Sequence, residues 1–97
     1  MQKLHHWING QARTSGSGDW LEVFDPATAR PHAQVARGNA SDVEAAIAAA
    51  STAFPAWAAL RNSERAAWLE KLAAALESRT EEFARAESLD GGLHVRR

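Results

Sequence analysis

The period at which apolar and polar side chains alternate changes once along this chain, near Gly38. Before that point, proline, glycine and mixed polar residues separate short runs of strand character. After it, long alanine-, leucine- and glutamate-rich stretches repeat at helical spacing. Residues 4–8 are short and aromatic and end at Asn9-Gly10, a dipeptide suited to the positive φ angles of a tight hairpin turn. Residues 14–19 read as a loose, flexible loop. Residues 20–24 read as a strand with Trp20, Glu22 and Phe24 on one face and Leu21 and Val23 on the other. The Asp25-Pro26-Ala27-Thr28 turn follows, and residues 32–37 return as a partner strand. Two hairpins are therefore expected over residues 4–37.

Three helices are expected over residues 41–90. The first opens at Ser41, whose side chain and that of Glu44 can each satisfy the other's free amide. Val43, Ala46, Ile47, Ala50, Ala53, Phe54 and Trp57 recur at helical spacing and predict a buried face. Pro55 biases Phe54 away from helix, so the regular stretch should end there and residues 55–61 should form a connector. Ser63 is a suitable N-cap for a second helix presenting Trp68, Leu69, Leu72, Ala73 and Leu76 inward. A break at Ser78-Arg79, a new cap at Thr80 and a stop at Gly91-Gly92 frame a third helix over about 81–89.

Composition limits what these elements can build. The chain has 97 residues, of which 45% are hydrophobic, and alanine makes up a large part of that share. Few large side chains are left for a core, and a chain this short buries only about 60% of the surface its unfolded form exposes. Four tryptophans carry much of the apolar area, and that surplus suggests packing against parts not present in the chain. With 11 basic and 12 acidic side chains the net charge is −1. The basic excess behind nucleic-acid affinity or a polybasic membrane anchor is missing, so neither partner is expected. No secretory signal is visible at the N-terminus, no uncharged stretch reaches spanning length, and a cytoplasmic setting is the expectation.

Candidate chemistry is sparse. Zero cysteines exclude a thiol nucleophile, a thiolate metal site and a disulfide. His5 and His6 are adjacent and point to opposite faces of a strand, while His32 and His94 lack partners at ligand spacing. Gly16-Ser17-Gly18 is no nucleophile elbow, since no long helix follows, and no phosphate-cradling glycine pattern occurs. Glu70, Glu77, Glu81, Glu82 and Glu87, interleaved with Lys71, Arg79 and Arg85, read as a solvated helix face. Asp90 differs, because a carboxylate at a helix C-terminus opposes the dipole: either a cation compensates it, or it is an ordinary chain stop before the glycine pair.

The order of the motifs is more specific than any one of them. His-His-Trp-Ile-Asn-Gly-Gln at 5–11, Phe-Asp-Pro-Ala-Thr at 24–28 and Asp-Val-Glu-Ala-Ala-Ile-Ala-Ala-Ala at 42–50 come first. Ala-Phe-Pro-Ala-Trp at 53–57, Ser-Glu-Arg-Ala at 63–66 and Glu-Ser-Leu-Asp-Gly-Gly at 87–92 follow. Together they resemble the N-terminal segment of aldehyde dehydrogenases. The resemblance implies an α+β fold: N-terminal β-hairpins and three α-helices, the leading part of an α/β Rossmann-like nucleotide-binding domain. It implies an enzyme that oxidises an aldehyde to a carboxylic acid with NAD or NADP, using a cysteine nucleophile, a glutamate base and an amide oxyanion hole. None of those groups falls in the matched region, so this chain is expected to bind no cofactor and to be inactive alone. Its expected partner is the remainder of the dehydrogenase chain or a homologous subunit. The resemblance also implies a monovalent cation, Na+ or K+, held by backbone oxygens at Val23 and Phe24 and by Asp90.

Three departures from the family pattern stand out. Ala29 replaces the glycine usual after Pro-Ala-Thr, Ala12 replaces a common tryptophan, and Gly91-Gly92-Leu93-His94 replaces Gly-Lys-Pro. The C-terminus therefore reads as aberrant or cut, and the chain as a fragment, a truncated reading frame or a piece of a split enzyme. A free-standing protein-interaction module and a truncated regulatory subunit are the alternative readings.

Overall fold

The computed structural model describes residues 1–92; His94 and the altered stretch after Gly92 lie outside the described residues. Five strands precede three helices. Strands β1 (Gln2–Leu4), β4 (Trp20–Asp25) and β5 (Arg30–Ala36) form one sheet in the order β1-β5-β4. β1 runs parallel to β5, and β4 antiparallel to it. Strands β2 (His6–Ile8) and β3 (Gln11–Arg13) form a separate antiparallel pair. The expected single strand over 4–8 is thus divided at His5, where the chain leaves one sheet and enters the other. Asn9 and Gly10, at φ 55° and 73°, both take the left-handed region that a tight two-residue turn requires.

Helix α1 spans Ala40–Ala59, α2 Asn62–Glu77 and α3 Thr80–Gly91. Several boundaries differ from the sequence expectation, each for a local reason. The cap of α1 is Asn39 rather than Ser41: Asn39 Oδ1 accepts from the Asp42 amide at 3.1 Å, and Asp42 Oδ2 accepts from the Asn39 amide at 3.0 Å. Ser41 instead donates to Asn39 Oδ1 at 2.7 Å. Pro55 lies inside α1 and does not end it. The carbonyl that loses its donor belongs to Ser51, which is exposed, so water can replace the missing bond. The connector shrinks to Leu60 and Arg61. Glu64 accepts the Arg61 amide at 3.0 Å, so α2 begins before Ser63. The break at Ser78-Arg79 is present, but Thr80 is the first residue of α3 rather than its cap: its hydroxyl donates back to the Glu77 carbonyl at 2.7 Å, and Arg79 holds the N-cap position without a side-chain capping bond; Gly92 closes α3 in the left-handed region at φ 73°.

The two predicted buried helix faces are exposed. Helix α1 turns Asp42, Ala45 and Ala49 toward the β2–β3 hairpin, three positions at one-turn spacing. Its large residues point away, with Ile47 60% and Phe54 65% exposed. On α2, Trp68, Leu69, Leu72 and Leu76 are exposed as well. Among the described residues Ala33, in the central strand β5, is the one fully buried apolar side chain, at 2% exposure. The molecule is a plate of 48 × 38 × 15 Å with a radius of gyration of 16.9 Å, against about 12.5 Å for a compact chain of this length. A slab this thin has no interior layer in which to hide the large side chains. Among the described residues no helix is long and apolar enough to cross a membrane.

Ala29 adopts φ 57° at the end of the Asp25–Thr28 turn, and its amide donates to the Asp25 carbonyl at 2.8 Å. Its Cβ makes that conformation costly by about 1 kcal/mol. Ala29→Gly should therefore raise the free energy of unfolding by roughly 0.5–1 kcal/mol in a urea titration, the gain being limited by glycine's greater freedom in the unfolded chain.

Candidate functional site

Two places in the fold concentrate polar chemistry. The first surrounds Asp42, in the opening turn of α1. Its carboxylate is 4% exposed and accepts from the Gly16 amide at 3.0 and 3.2 Å and from the Asn39 amide at 3.0 Å. Arg13 Nε approaches at 3.4 Å and His6 Nε2 at 3.6 Å. The Ser15 hydroxyl lies 2.9 Å from Asp42 Oδ2 and also against the Arg37 carbonyl; having one proton, it donates to one of them at a time. The Gly16 amide, and after it the Asn39 amide, hold the Asp42 carboxyl far below the usual carboxylate range, with Ser15 and Arg13 adding to them against the opposing effect of burial.

The loop carrying Ser15 and Gly16 is consequently anchored, not loose. Ser15 is buried, and a Cβ at Gly16 would stand 2.6 Å from Ser41 Oγ, so any larger residue would have to displace the Ser41 side chain where the loop meets the helix. The groups around Asp42 are amides, a hydroxyl shared with the Arg37 carbonyl, the Arg13 guanidinium and the His6 ring, whose Nε2 is buried at 3.6 Å without a hydrogen bond. The constellation is a structural lock joining the β2–β3 hairpin, the 15–18 loop and α1, with no open position for a reacting molecule. Its sequence signal was Asn39-x-x-Asp42, which has capping-box spacing just upstream of the Ser41–Glu44 pair.

The second place is a cleft of about 620 Å³ between the three-stranded sheet and α3. Val23, His32 and Ala33 line it from the sheet, and Glu82, Glu87 and Asp90 from the helix, with Arg85 among them. Two of the three residues singled out for a cation, Val23 and Asp90, thus border the same space, whereas Phe24, the next residue along β4, is exposed and does not line it. The β4–β5 ladder is irregular at this point: Val23 faces Ala33 but Phe24 faces Pro31, leaving His32 as the extra residue of a bulge. Pro31 has no amide proton to contribute to the ladder. His32 Nε2 is buried without a hydrogen-bond partner. Among the described residues no three His, Cys, Asp or Glu side chains cluster closely enough to hold a metal ion by themselves. The helix carboxylates behave as a solvated face: Arg79 Nε donates to Glu82 at 2.8 Å, Arg85 lies 3.9 Å from Glu81, and Lys71 covers the Trp68 ring at 4.5 Å.

Strands followed by three helices with these breaks match known proteins along nearly the whole chain. The model of the aldehyde dehydrogenase family matches residues 12–97. This chain belongs to the aldehyde dehydrogenase family. It is 36% identical over 95 residues to the 5-carboxymethyl-2-hydroxymuconate semialdehyde dehydrogenase of Escherichia coli, a match covering 98% of this chain and 20% of that protein. To the 2-aminomuconic semialdehyde dehydrogenase of Danio rerio it is 43% identical over 75 residues, covering 77% of this chain and 15% of the relative. Among solved structures, PnpE in complex with nicotinamide adenine dinucleotide superposes with a TM-score of 0.85 at 39% identity, over 92% of this chain and 18% of PnpE. An aldehyde dehydrogenase from Bacillus cereus superposes with a TM-score of 0.87 at 35% identity, over 94% of this chain and 19% of the enzyme. The chain therefore spans about a fifth of the length of the relatives it matches. The expected fold, β-hairpins and three helices of the kind that lead into a Rossmann-like domain, is the one it shares with them.

The Asp42 lock has a defined pH dependence. A carboxyl whose folded pKa lies below its unfolded value stabilises the fold above the ordinary carboxylate range, and that stability is lost as pH falls through the range and toward the folded pKa. Stability measured by urea titration should therefore decline progressively below about pH 4. Asp42→Asn should lower stability at neutral pH and flatten that acid dependence, because its amide group turns a donor toward the Gly16 and Asn39 donors. An unchanged acid profile in this variant would show that other carboxyls set it.

Proposed function

We propose that this chain serves as the leading scaffold segment of an NAD(P)-dependent aldehyde dehydrogenase, which oxidises an aldehyde to a carboxylic acid. The observation that carries the reading is the 36% identity sustained over 98% of the chain while only 20% of the relative is covered. In that role the segment contributes shape. The Asp42 lock fixes the hairpin against α1, and the three-stranded sheet positions α3 and its cleft. The chemistry belongs to groups this segment does not supply: with no cysteine, it has no candidate for the family's thiol nucleophile. When bound to the enzyme, NAD or NADP would accept the hydride. The segment acts in the cytoplasm, a reducing compartment with which the lack of cysteine is compatible.

The reading extends to a monovalent cation, Na+ or K+, at the backbone oxygens of Val23 and Phe24 and the carboxylate of Asp90. Three features support it. Asp90 stands at the negative end of α3, whose last turn carries no basic side chain. The irregular ladder beside Val23 lies next to a proline without an amide proton. The donors are hard oxygens of the kind such cations take.

Incubating the purified chain with an aldehyde and NAD, or with NADP, should produce no reduced nucleotide by absorbance, and appreciable turnover would refute the scaffold assignment. For the cation, melting midpoints in NaCl or KCl should exceed that in tetramethylammonium chloride at matched ionic strength, and Asp90→Asn should abolish the difference. Equal midpoints for the unsubstituted chain in all three salts would remove the site.

A further inference from the structure

Asparagine occurs at positions 9, 39 and 62, and two of these side chains are held at helix starts. Asn39 caps α1, its Oδ1 accepting from the Asp42 amide at 3.1 Å and from the Ser41 hydroxyl at 2.7 Å. Asn62 opens α2 with its Oδ1 against the Arg65 guanidinium. Each is followed by a residue with a side chain, Ala40 or Ser63. Asn9 is placed differently. Among the described residues its side chain has no hydrogen-bond partner. Its neighbour Gly10 has no side chain to shield the amide nitrogen, and a Cβ built there would meet nothing within 4 Å. Clefts of about 480 and 400 Å³ flank the turn, and Asn9 borders both.

An asparagine before glycine carries an electrophile and a nucleophile on adjacent residues. The Asn9 Cγ and the Gly10 nitrogen can close a five-membered ring, so their encounter needs no second macromolecule. As hydroxide removes the amide proton, the nitrogen bonds to Cγ, the bond from Cγ to the side-chain nitrogen breaks, and ammonia leaves. Water then opens the cyclic imide. Breaking the bond between Cγ and the Gly10 nitrogen leaves aspartate. Breaking the bond between the Asn9 carbonyl carbon and that nitrogen leaves isoaspartate, whose backbone runs through Cβ and Cγ. Overall, an amide and water give a carboxylate and ammonium, with no oxidant or reductant. The fold controls how readily the turn leaves its left-handed angles of 55° and 73°. Only the tip of a ribbon of three residue pairs has to fray. The anchored end is the other one, where His6 and Arg13 meet Asp42.

We propose that Asn9 is a self-modifying site: it converts spontaneously to aspartate and isoaspartate, and the isoaspartate form releases the β2–β3 ribbon from the Asp42 lock. The added backbone methylene is the cause. A two-residue turn fixes the register in which Ile8 faces Gln11, Trp7 faces Ala12 and His6 faces Arg13. That register places Arg13 Nε 3.4 Å and His6 Nε2 3.6 Å from the Asp42 carboxylate, and lengthening one side of the turn shifts it. Asp42 keeps the amides of Gly16 and Asn39, so the 15–18 loop stays joined to α1 while the ribbon comes away. Conversion also adds one negative charge to the net charge of −1. The new β-linked carboxyl is the group that an isoaspartate carboxyl methyltransferase takes as substrate. The site is independent of the scaffold reading, because both reacting groups lie within one turn.

The whole chain, aged in mildly alkaline buffer at physiological temperature, should become a substrate for a protein isoaspartate methyltransferase supplied with labelled S-adenosylmethionine. Peptide mapping by mass spectrometry should place roughly ten-fold more conversion at Asn9 than at Asn39 or Asn62, whose side chains are held away from the attacking nitrogen. Asn9→Gln, which would have to close a six-membered ring, should lose the methyl acceptor. Freshly purified Asn9→Asp supplies the new charge without rerouting the backbone. The isolated isoaspartate form should unfold at lower urea than Asn9→Asp, and its His6 ring signals in nuclear magnetic resonance spectra should move while those of Asn9→Asp stay in place. An aged chain free of isoaspartate, conversion favouring Asn39 or Asn62, or an undiminished methyl acceptor in Asn9→Gln would each overturn the modification site. An isoaspartate form matching Asn9→Asp in both stability and His6 signals would overturn the release of the ribbon.

Discussion

A buried carboxylate must be surrounded by donors or it will not stay charged, and in this molecule that requirement fixes the relative placement of three elements. Asp42 draws the amides of Gly16 and Asn39, the Ser15 hydroxyl and the Arg13 guanidinium into one small volume. The loop between the two hairpins, the β2–β3 ribbon and the first turn of α1 converge there. A two-stranded ribbon is marginal by itself, and the lock gives it an attachment that apolar packing cannot provide, since α1 offers it alanines at 45 and 49. Polar geometry thus does in this segment what a hydrophobic core does in most domains.

The apolar side chains are used differently. The segment carries large residues at regular helical spacing, yet turns them outward from its own elements. A helix whose small face meets its neighbour in the chain and whose large face meets solvent is oriented for a second neighbour. The same economy explains the dimensions of the plate: a layer 15 Å thick is one of the few stacked layers from which a domain is assembled. Such a layer can hold its backbone shape through caps, turns and one buried carboxylate while leaving its larger apolar contacts to the layers beside it.

Much of the architecture was legible in the residues. Asn9-Gly10 marked the first turn, Asp25-Pro26 the second, and Ser78-Arg79 with Gly92 the edges of α3, because each of these depends on local backbone preference. The misplaced features share a cause. Pro55 signals a helix end only if the carbonyl it orphans cannot find water, and at the exposed Ser51 it can. Two capping patterns overlap at residues 39–44, and the one whose acid is also needed by Gly16 and Ser15 prevails. The 14–19 stretch has the composition of a flexible loop, and its order comes from a carboxylate more than twenty residues away. Of the residues tied to a cation, Asp90 could be picked out by its conflict with the helix dipole, but its sharing of a cleft with Val23 depends on how α3 settles on the sheet.

By itself, then, the sequence determined where the hairpins turn, that three helices follow the strands, that it has no thiol chemistry, and to which family its ordered motifs are similar, since local propensity and residue identity suffice for each. Only the tertiary structure decided which side of each helix faces inward. Periodicity defines a face but is silent about its direction, and here the direction follows from Asp42, whose donors pull the alanine side of α1 toward the hairpin and leave the large side chains facing out.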